Sequence, residues 1–244
     1  TGAFGNMMLN NDPASIIKAN DLANLYGFDV ISLGSSIAFA IECYENGILT
    51  AADTDGVELR WGNANAAIKM IHKIANREGF GAVLADGVKR ASEKIGRGSE
   101  RFAMHVGGQE LPMHDPRLAP GYATTYMLDA TPGRHTQGGS QSVEDSAGTP
   151  GVPEFTVGKL DYGSKGEAHR VYADYNHVVN ALGMCEFGSM MVDAYVIRDY
   201  LNVTTGFEWS IDEMLSAGER IAPRFHGAIL KIAVQQPAWH LQPT

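Results

Sequence analysis

Cysteine is scarce in this chain. Cys43 and Cys185 are the only two among 244 residues, too few and too far apart for a disulfide framework, and this scarcity fits a reducing compartment. Long apolar runs are lacking too, and none approaches the roughly 20 residues a helix needs to cross a bilayer. Basic residues are in deficit: 19 Lys and Arg stand against 28 Asp and Glu, a net charge of −9. Nucleic acid is therefore an unsuited partner, because no positive surplus exists to neutralise phosphates. The same acidity does not help to dock an acidic protein. The opening Thr1-Gly2-Ala3-Phe4-Gly5 lacks the basic and apolar regions of a signal peptide. The expectation is a soluble, cytoplasmic protein with no membrane and no nucleic acid among its partners.

What is present is enough apolar material, 44% of residues, to build the core of one large or two ordinary domains. Much of it recurs at helical spacing. Asp12 before Pro13 reads as cap and first-turn proline of a helix that Ile16, Ile17, Ala23 and Leu25 carry to Gly27. Further helices are expected from about Ser35 to Asn46, from Asn63 to Gly79 and from about Gly81 to Ile95. His72, on the third of these, reads as a packed or surface residue. Asp53, Asp55, Gly56 and Glu58 lack the spacing and closing glutamate of a calcium loop, so a solvated turn is expected there.

Between about Gly96 and Gly166 the texture changes to glycine, proline, serine and threonine, an irregular stretch of the kind that carries function. Phe102, Met104 and Val106 alternate like a short strand. His105 and His114 have no partner at zinc-ligand spacing and read as structural. Helices resume by about Glu167, again through Val192, Tyr195 and Val196 to near Asn202, and at Ser210, which caps the last. The expected architecture is mainly α, with helical domains over 1–108 and 109–244.

One device occurs twice. Asn24-Leu25-Tyr26-Gly27-Phe28-Asp29 and Asn180-Ala181-Leu182-Gly183-Met184-Cys185 share an order: asparagine, two residues, glycine, a large apolar residue, then a ligand-type side chain. Each asparagine falls in the last turn of a helix and offers an amide, while each glycine reverses the backbone and exposes peptide groups. Such a turn suits a flat heterocycle rich in donors and acceptors. Asp29 would then act as an acceptor and Cys185 as a thiolate ligand, the two copies facing each other across one bound molecule.

These residues resemble the tungsten- or molybdenum-containing aldehyde ferredoxin oxidoreductases, whose two short motifs grip a pair of pterins. Gly27-Phe28-Asp29-Val30-Ile31-Ser32, Tyr44-Glu45-Asn46-Gly47, Asp53-Thr54-Asp55-Gly56 and Trp61-Gly62-Asn63 look like family signatures in family order. So do Ala85-Asp86-Gly87-Val88, Glu110-Leu111-Pro112, His114-Asp115-Pro116-Arg117, Gly121-Tyr122-Ala123-Thr124 and Gly218-Glu219-Arg220-Ile221.

The resemblance implies two helical domains of such an enzyme, with the N-terminal pterin-covering domain absent. It implies Asn24, Gly27, Phe28 and Asp29, with Asn180, Gly183, Met184 and Cys185, as binders of tungstopterin or molybdopterin in bis-pterin form. Cys185 would also be a ligand of a 4Fe-4S cluster whose other thiolates, like a glutamate at the metal centre, lie upstream of Thr1 in the family. The implied activity is oxidation of an aldehyde substrate to a carboxylic acid with ferredoxin as partner, and these 244 residues alone are expected to be inactive. Whether a homodimer forms is left open. Cys43, among Ile41 and Tyr44, reads instead as an inert buried thiol.

Tyr122, Thr124, Arg134 and His135 are the residues of the irregular stretch expected near chemistry. His135 follows Thr131-Pro132-Gly133-Arg134, on a turn and not on an apolar helix face, and an imidazole there could pass a proton. A family histidine in this region lines the substrate pocket, which makes His135 and Tyr122 the catalytic candidates. A surface histidine is the alternative.

Two departures stand out. Asn24 and Asn180 occupy positions where family members often carry aspartate, and Ala222–Thr244, with His226, Trp239 and His240, matches no family pattern. Two rival functions remain: a helical scaffold or binding protein without metal, and a family branch that reduces acids or aromatic thioesters.

Overall fold

The Asp12 carboxylate accepts from the amides of Ala14 and Ser15, both at 3.2 Å, while Pro13 fills the first turn. Two orphan amides of the helix start are thereby satisfied, and Pro13 has no N–H to satisfy. The helix that follows is α1, Pro13–Leu25. The computed structural model describes residues 1–129, 131, 133–138, 144, 148–153 and 157–221. They form two compact units, Thr1–Met113 and His114–Thr244.

In the first unit α2 spans Val30–Glu45 and starts at Val30, not near Ser35, because Asp29 Oδ1 accepts from Ser32 N at 2.7 Å and caps it. Asn63 caps α3, Ala64–Asn76, which packs on α1. The helix expected from Gly81 to Ile95 is two helices, α4 (Phe80–Leu84) and α5 (Gly87–Ile95). The cause is distant in sequence: Glu110 Oε1 accepts from Val88 N at 2.7 Å and starts α5 anew. Glu110 lies on β2, Gln109–Glu110, antiparallel to β1, His105–Val106. Of the alternation at Phe102, Met104 and Val106, only Val106 is in the strand; Phe102 closes a 3₁₀ turn.

The core of this unit gathers Ile37, Ile41, Leu59, Met70, Ile71 and Leu84. Cys43 is fully enclosed in it, and burial pushes its thiol up to about 12. The acidic loop is an exposed turn, as expected, and its carboxylates are also used by the fold. Asp53 accepts from Thr50 N at 2.8 Å and pairs with Arg97 at 2.9 Å, and Asp55 holds Lys73 at 2.9 Å and Phe80 N at 2.7 Å. Its carboxylates brace α3, α4 and Arg97, which lies just ahead of the 3₁₀ turn Ser99–Phe102.

The second unit has a helix where irregular chain was expected: α6, Gly121–Leu128, so Tyr122 and Thr124 lie on a helix. Its first amide, Gly121 N, donates to Glu144 Oε1 at 2.6 Å, and Lys165 Nζ approaches the same oxygen at 2.5 Å, both ionic side chains 5% exposed. Lys165 begins α7, Lys165–Ala181, followed by α8 (Glu186–Ser189) and α9 (Ala194–Thr205). The last helix among the described residues, α10, covers residues 211–221 and opens on a reciprocal capping box, Ser210 N to Glu213 Oε2 at 2.8 Å and Glu213 N to Ser210 Oγ at 3.2 Å. Gly218 lets α10 lie against α7, since a Cβ there would collide with the Asp174 carbonyl.

Val171, Tyr172, Val178, Ile197, Leu201 and Met214 form the second core. Among the described residues no helix is long and apolar enough to cross a membrane. Ala222–Thr244, including His226, Trp239 and His240, lies outside the described residues.

Candidate functional site

Both Asn-x-x-Gly turns close a helix in the same way. After α1, Gly27 N donates to Asn24 O at 3.1 Å and Phe28 N to Ala23 O at 2.9 Å; after α7, Gly183 N donates to Asn180 O at 3.0 Å and Met184 N to Val179 O at 3.3 Å. Gly27 has φ of +71° and Gly183 of +68°, left-handed values that a side chain makes unfavourable. The residue two beyond each glycine is the N-cap of the next helix, Asp29 at φ −64°, ψ 122° and Cys185 at φ −67°, ψ 128°. The repeat legible in the sequence is thus a repeat of backbone geometry.

The side chains diverge. Asp29 Oδ1 is used as a cap, whereas Cys185 makes no side-chain cap bond and is exposed. Asp29 was expected only as an acceptor aimed at a ligand; its first role is to start α2. Asn24 Nδ2 donates to Asn20 O at 3.0 Å and Asn180 Nδ2 to Asn176 O at 2.7 Å. Neither Oδ1 accepts a hydrogen bond among the described residues.

A Cβ built on either glycine would meet nothing within 4 Å. Each turn therefore opens onto free space with bare peptide groups, an amide oxygen and a half-buried apolar flank, Phe28 or Met184. That donor set fits a pterin edge. It does not fit a self-contained metal site: no cluster of three or more His, Cys, Asp or Glu placed to hold a metal exists among the described residues. Cys185 could supply one thiolate, with the others coming from outside this stretch.

The catalytic candidates meet in the second unit. Tyr126 and Tyr122, one turn apart on α6, stack at 5.8 Å between ring centroids; Tyr122 stacks on His114 at 4.7 Å, and His114 lies 4.9 Å from His135. The result is a ladder of four rings with His135 at one end. Tyr126 Oη donates to His114 O at 2.9 Å and fixes the middle rung. Burial pulls the His114 imidazole below its ordinary value, so it is neutral at pH 7. Burial, then the Glu186 and Glu144 carboxylates, push the Tyr122 phenol up. Glu186 follows Cys185 directly, which brings the second turn within electrostatic reach of the ladder. Its own carboxyl is raised by burial.

His114, which the sequence reads as structural, stands in the stack between Tyr122 and His135. A stack joining positions 114, 122 and 135 follows no local periodicity, so spacing carried no signal for it. His72 has a definite task as well, with Nδ1 3.0 Å from the hydroxyl of Tyr26 inside the first turn.

The chain matches the family model described as aldehyde ferredoxin oxidoreductase, domains 2 & 3, over residues 1–223. It is 38% identical over 234 residues to the tungsten-containing aldehyde ferredoxin oxidoreductase of Pyrococcus horikoshii, covering 91% of this chain and 36% of that protein. Identity to the protein of the same name from Pyrococcus abyssi is 37%, with the same coverage. Among solved structures, the active site complex BamBC of benzoyl coenzyme A reductase superposes with a TM-score of 0.62 at 22% identity, over 84% of this chain and 36% of that one. That likeness is one of fold. The chain spans about a third of the length of the curated relatives it matches. With its helical architecture, its paired turns and a family match that runs almost end to end, this chain belongs to the aldehyde ferredoxin oxidoreductase family and corresponds to domains 2 and 3 of it.

Proposed function

We propose that the chain is the cofactor-gripping, helical part of a tungsten- or molybdenum-pterin, iron–sulfur oxidoreductase that oxidises aldehydes to carboxylic acids and passes electrons to ferredoxin. The observation that carries this reading is the pair of turns with matching dihedral angles, open space outside each glycine and one ending in an exposed thiol. Tungsten-containing relatives favour tungstopterin over molybdopterin.

The bound group would supply oxygen transfer from water and two-electron redox chemistry. The residues of this chain do the rest. Gly27 and Gly183, the Oδ1 atoms of Asn24 and Asn180, and the apolar Phe28 and Met184 are the groups of this chain that would hold the pterins. Cys185 gives one cluster thiolate. His135 takes a proton at an imidazole nitrogen as the aldehyde is hydrated and oxidised. Neutral His114 against it keeps a second positive charge off the pair, and Tyr122 holds that arrangement by stacking.

Leu25, Phe187 and Met191 are 73%, 77% and 81% exposed, apolar surface around both turns of the kind that marks an interaction site. This supports a role within a longer polypeptide and an inactive isolated chain.

The test is metal and cofactor analysis of the full-length protein purified without oxygen, followed by assay with aldehydes and ferredoxin. Tungsten or molybdenum, about four iron atoms and their loss in Cys185→Ser, with activity down at least about 1000-fold, are expected. Absence of all three metals would leave a scaffold, and reduction of acids or aryl thioesters without aldehyde oxidation would move the chain to another branch of the family.

A further inference from the structure

The loop that carries His135 is held on α7, the helix that ends in the second turn. Asn176 Nδ2 donates to Gly138 O at 2.6 Å, and Asn180 Nδ2 donates to Thr136 O at 3.3 Å as well as to Asn176 O. The two asparagines are one turn apart and share a face of α7. The carbonyls they hold lie one and three residues beyond His135.

On the other side Gly138 lies so close to Thr125 of α6 that a Cβ would strike its side chain. Within the loop Thr131 Oγ1 and Gln137 Oε1 are 3.0 Å apart, and Arg134 N reaches Thr131 O at 3.3 Å. The loop is thus gripped between the helix bearing Tyr122 and α7, the helix that leads into the second turn.

We infer that Asn176 and Asn180 are positioning residues, an amide clamp that places His135 against His114 and ties that placement to the cofactor-gripping turn. The clamp needs an amide donor at position 180. Both partners of this side chain, Thr136 O and Asn176 O, are acceptors, and a carboxylate has no hydrogen to offer either. An aspartate there would face two carbonyls with no hydrogen to donate. Asn24 lacks this reason, since it serves only the carbonyl behind it on its own helix.

This inference rests on His135 acting on protons during aldehyde oxidation, and its test separates the two. In the full-length enzyme, Asn176→Asp keeps the size of the side chain and removes the donor without touching Asn180. Amide hydrogen exchange over residues 133–138 should quicken about tenfold or more, with exchange along α7 unchanged. Tungsten and iron content should hold, kcat should fall about tenfold, and KM should change less than about threefold. The decisive arm is the double variant: once His135→Ala is present, adding Asn176→Asp should alter kcat less than about twofold. Asn176→Gln, which keeps an amide donor, should recover part of the kcat lost in Asn176→Asp.

Unchanged exchange over 133–138 overturns the clamp. An equal loss of kcat in the presence and absence of His135 overturns its positioning role. If the wild-type enzyme oxidises no aldehyde, the functional reading fails alone, and exchange over 133–138 still decides whether the clamp exists.

Discussion

Asn24 and Asn180 both donate to the carbonyl four residues back, at 3.0 and 2.7 Å, yet only Asn180 reaches a second segment of the chain. The first turn is supported through a different residue, Tyr26, whose hydroxyl lies against His72 on α3. The helices behind them differ more. α1 buries only Ala19, Leu22 and Ala23, while α7 buries Lys165, His169, Asp174 and His177 among its eleven buried residues. One backbone device thus stands on two supports, an apolar one built from short side chains and a polar one built from charges and amides. Backbone dihedrals specify the turn; the support decides what else moves when it moves.

The sharpest way to break this comparison is pH. His169 is buried, its Nδ1 has no hydrogen-bond partner among the described residues, and burial with His177 nearby drops its pKa to about 4. A depressed histidine pKa means that the unfolded chain binds the extra proton, so this contribution is full above pH 6.5 and is lost as pH falls towards 4. Asp174 runs the other way: burial, partly offset by Arg170 and reinforced by Glu219, raises it from 3.8 to about 6, so its contribution is lost as pH rises through that range. Asp174→Asn should therefore gain stability relative to wild type between pH 4 and 6, by on the order of 2 to 3 kcal/mol. Urea melts of the second unit at several pH values measure it, and a flat difference would show that the polar support of α7 does not titrate.

A smaller effect checks the shared part. Gly27→Ala and Gly183→Ala meet open space, so each should cost about 1–2 kcal/mol from the left-handed backbone alone. The two losses should agree within about 0.5 kcal/mol in denaturant melts. A clear inequality would mean that the turns are alike only in appearance.

The smallest effect separates the two N-caps. Asp29→Ala removes the bond to Ser32 N and should destabilise α2 by about 1 kcal/mol. Cys185→Ala removes no such bond, so the stability of the metal-free protein should change by less than about 0.5 kcal/mol. Thermal melts of the apo forms decide this.

The parts of the fold that were legible in the sequence are those made by neighbours in the chain. Asp12-Pro13, Asn63, Ser210 and the glycine turns satisfy backbone groups within a few residues, and their side-chain types announce it. The parts that were not legible depend on distant partners. Glu110 splits a helix by capping Val88 N, Glu144 starts α6, and Arg97 and Lys73 turn an acidic loop into a brace. The candidate site divides the same way. Its turns were visible as a repeated pattern, whereas the stack through His114 and the grip of Asn176 on Gly138, 38 residues away, left no local trace.

The sealed sulfur of Cys43 has a practical corollary. Because that atom is fully enclosed and holds its proton until about pH 12, an alkylating reagent at neutral pH finds a single address in the metal-free folded chain, and one equivalent of label would tag Cys185 alone. A spectroscopic reporter can be mounted there without first engineering any residue away.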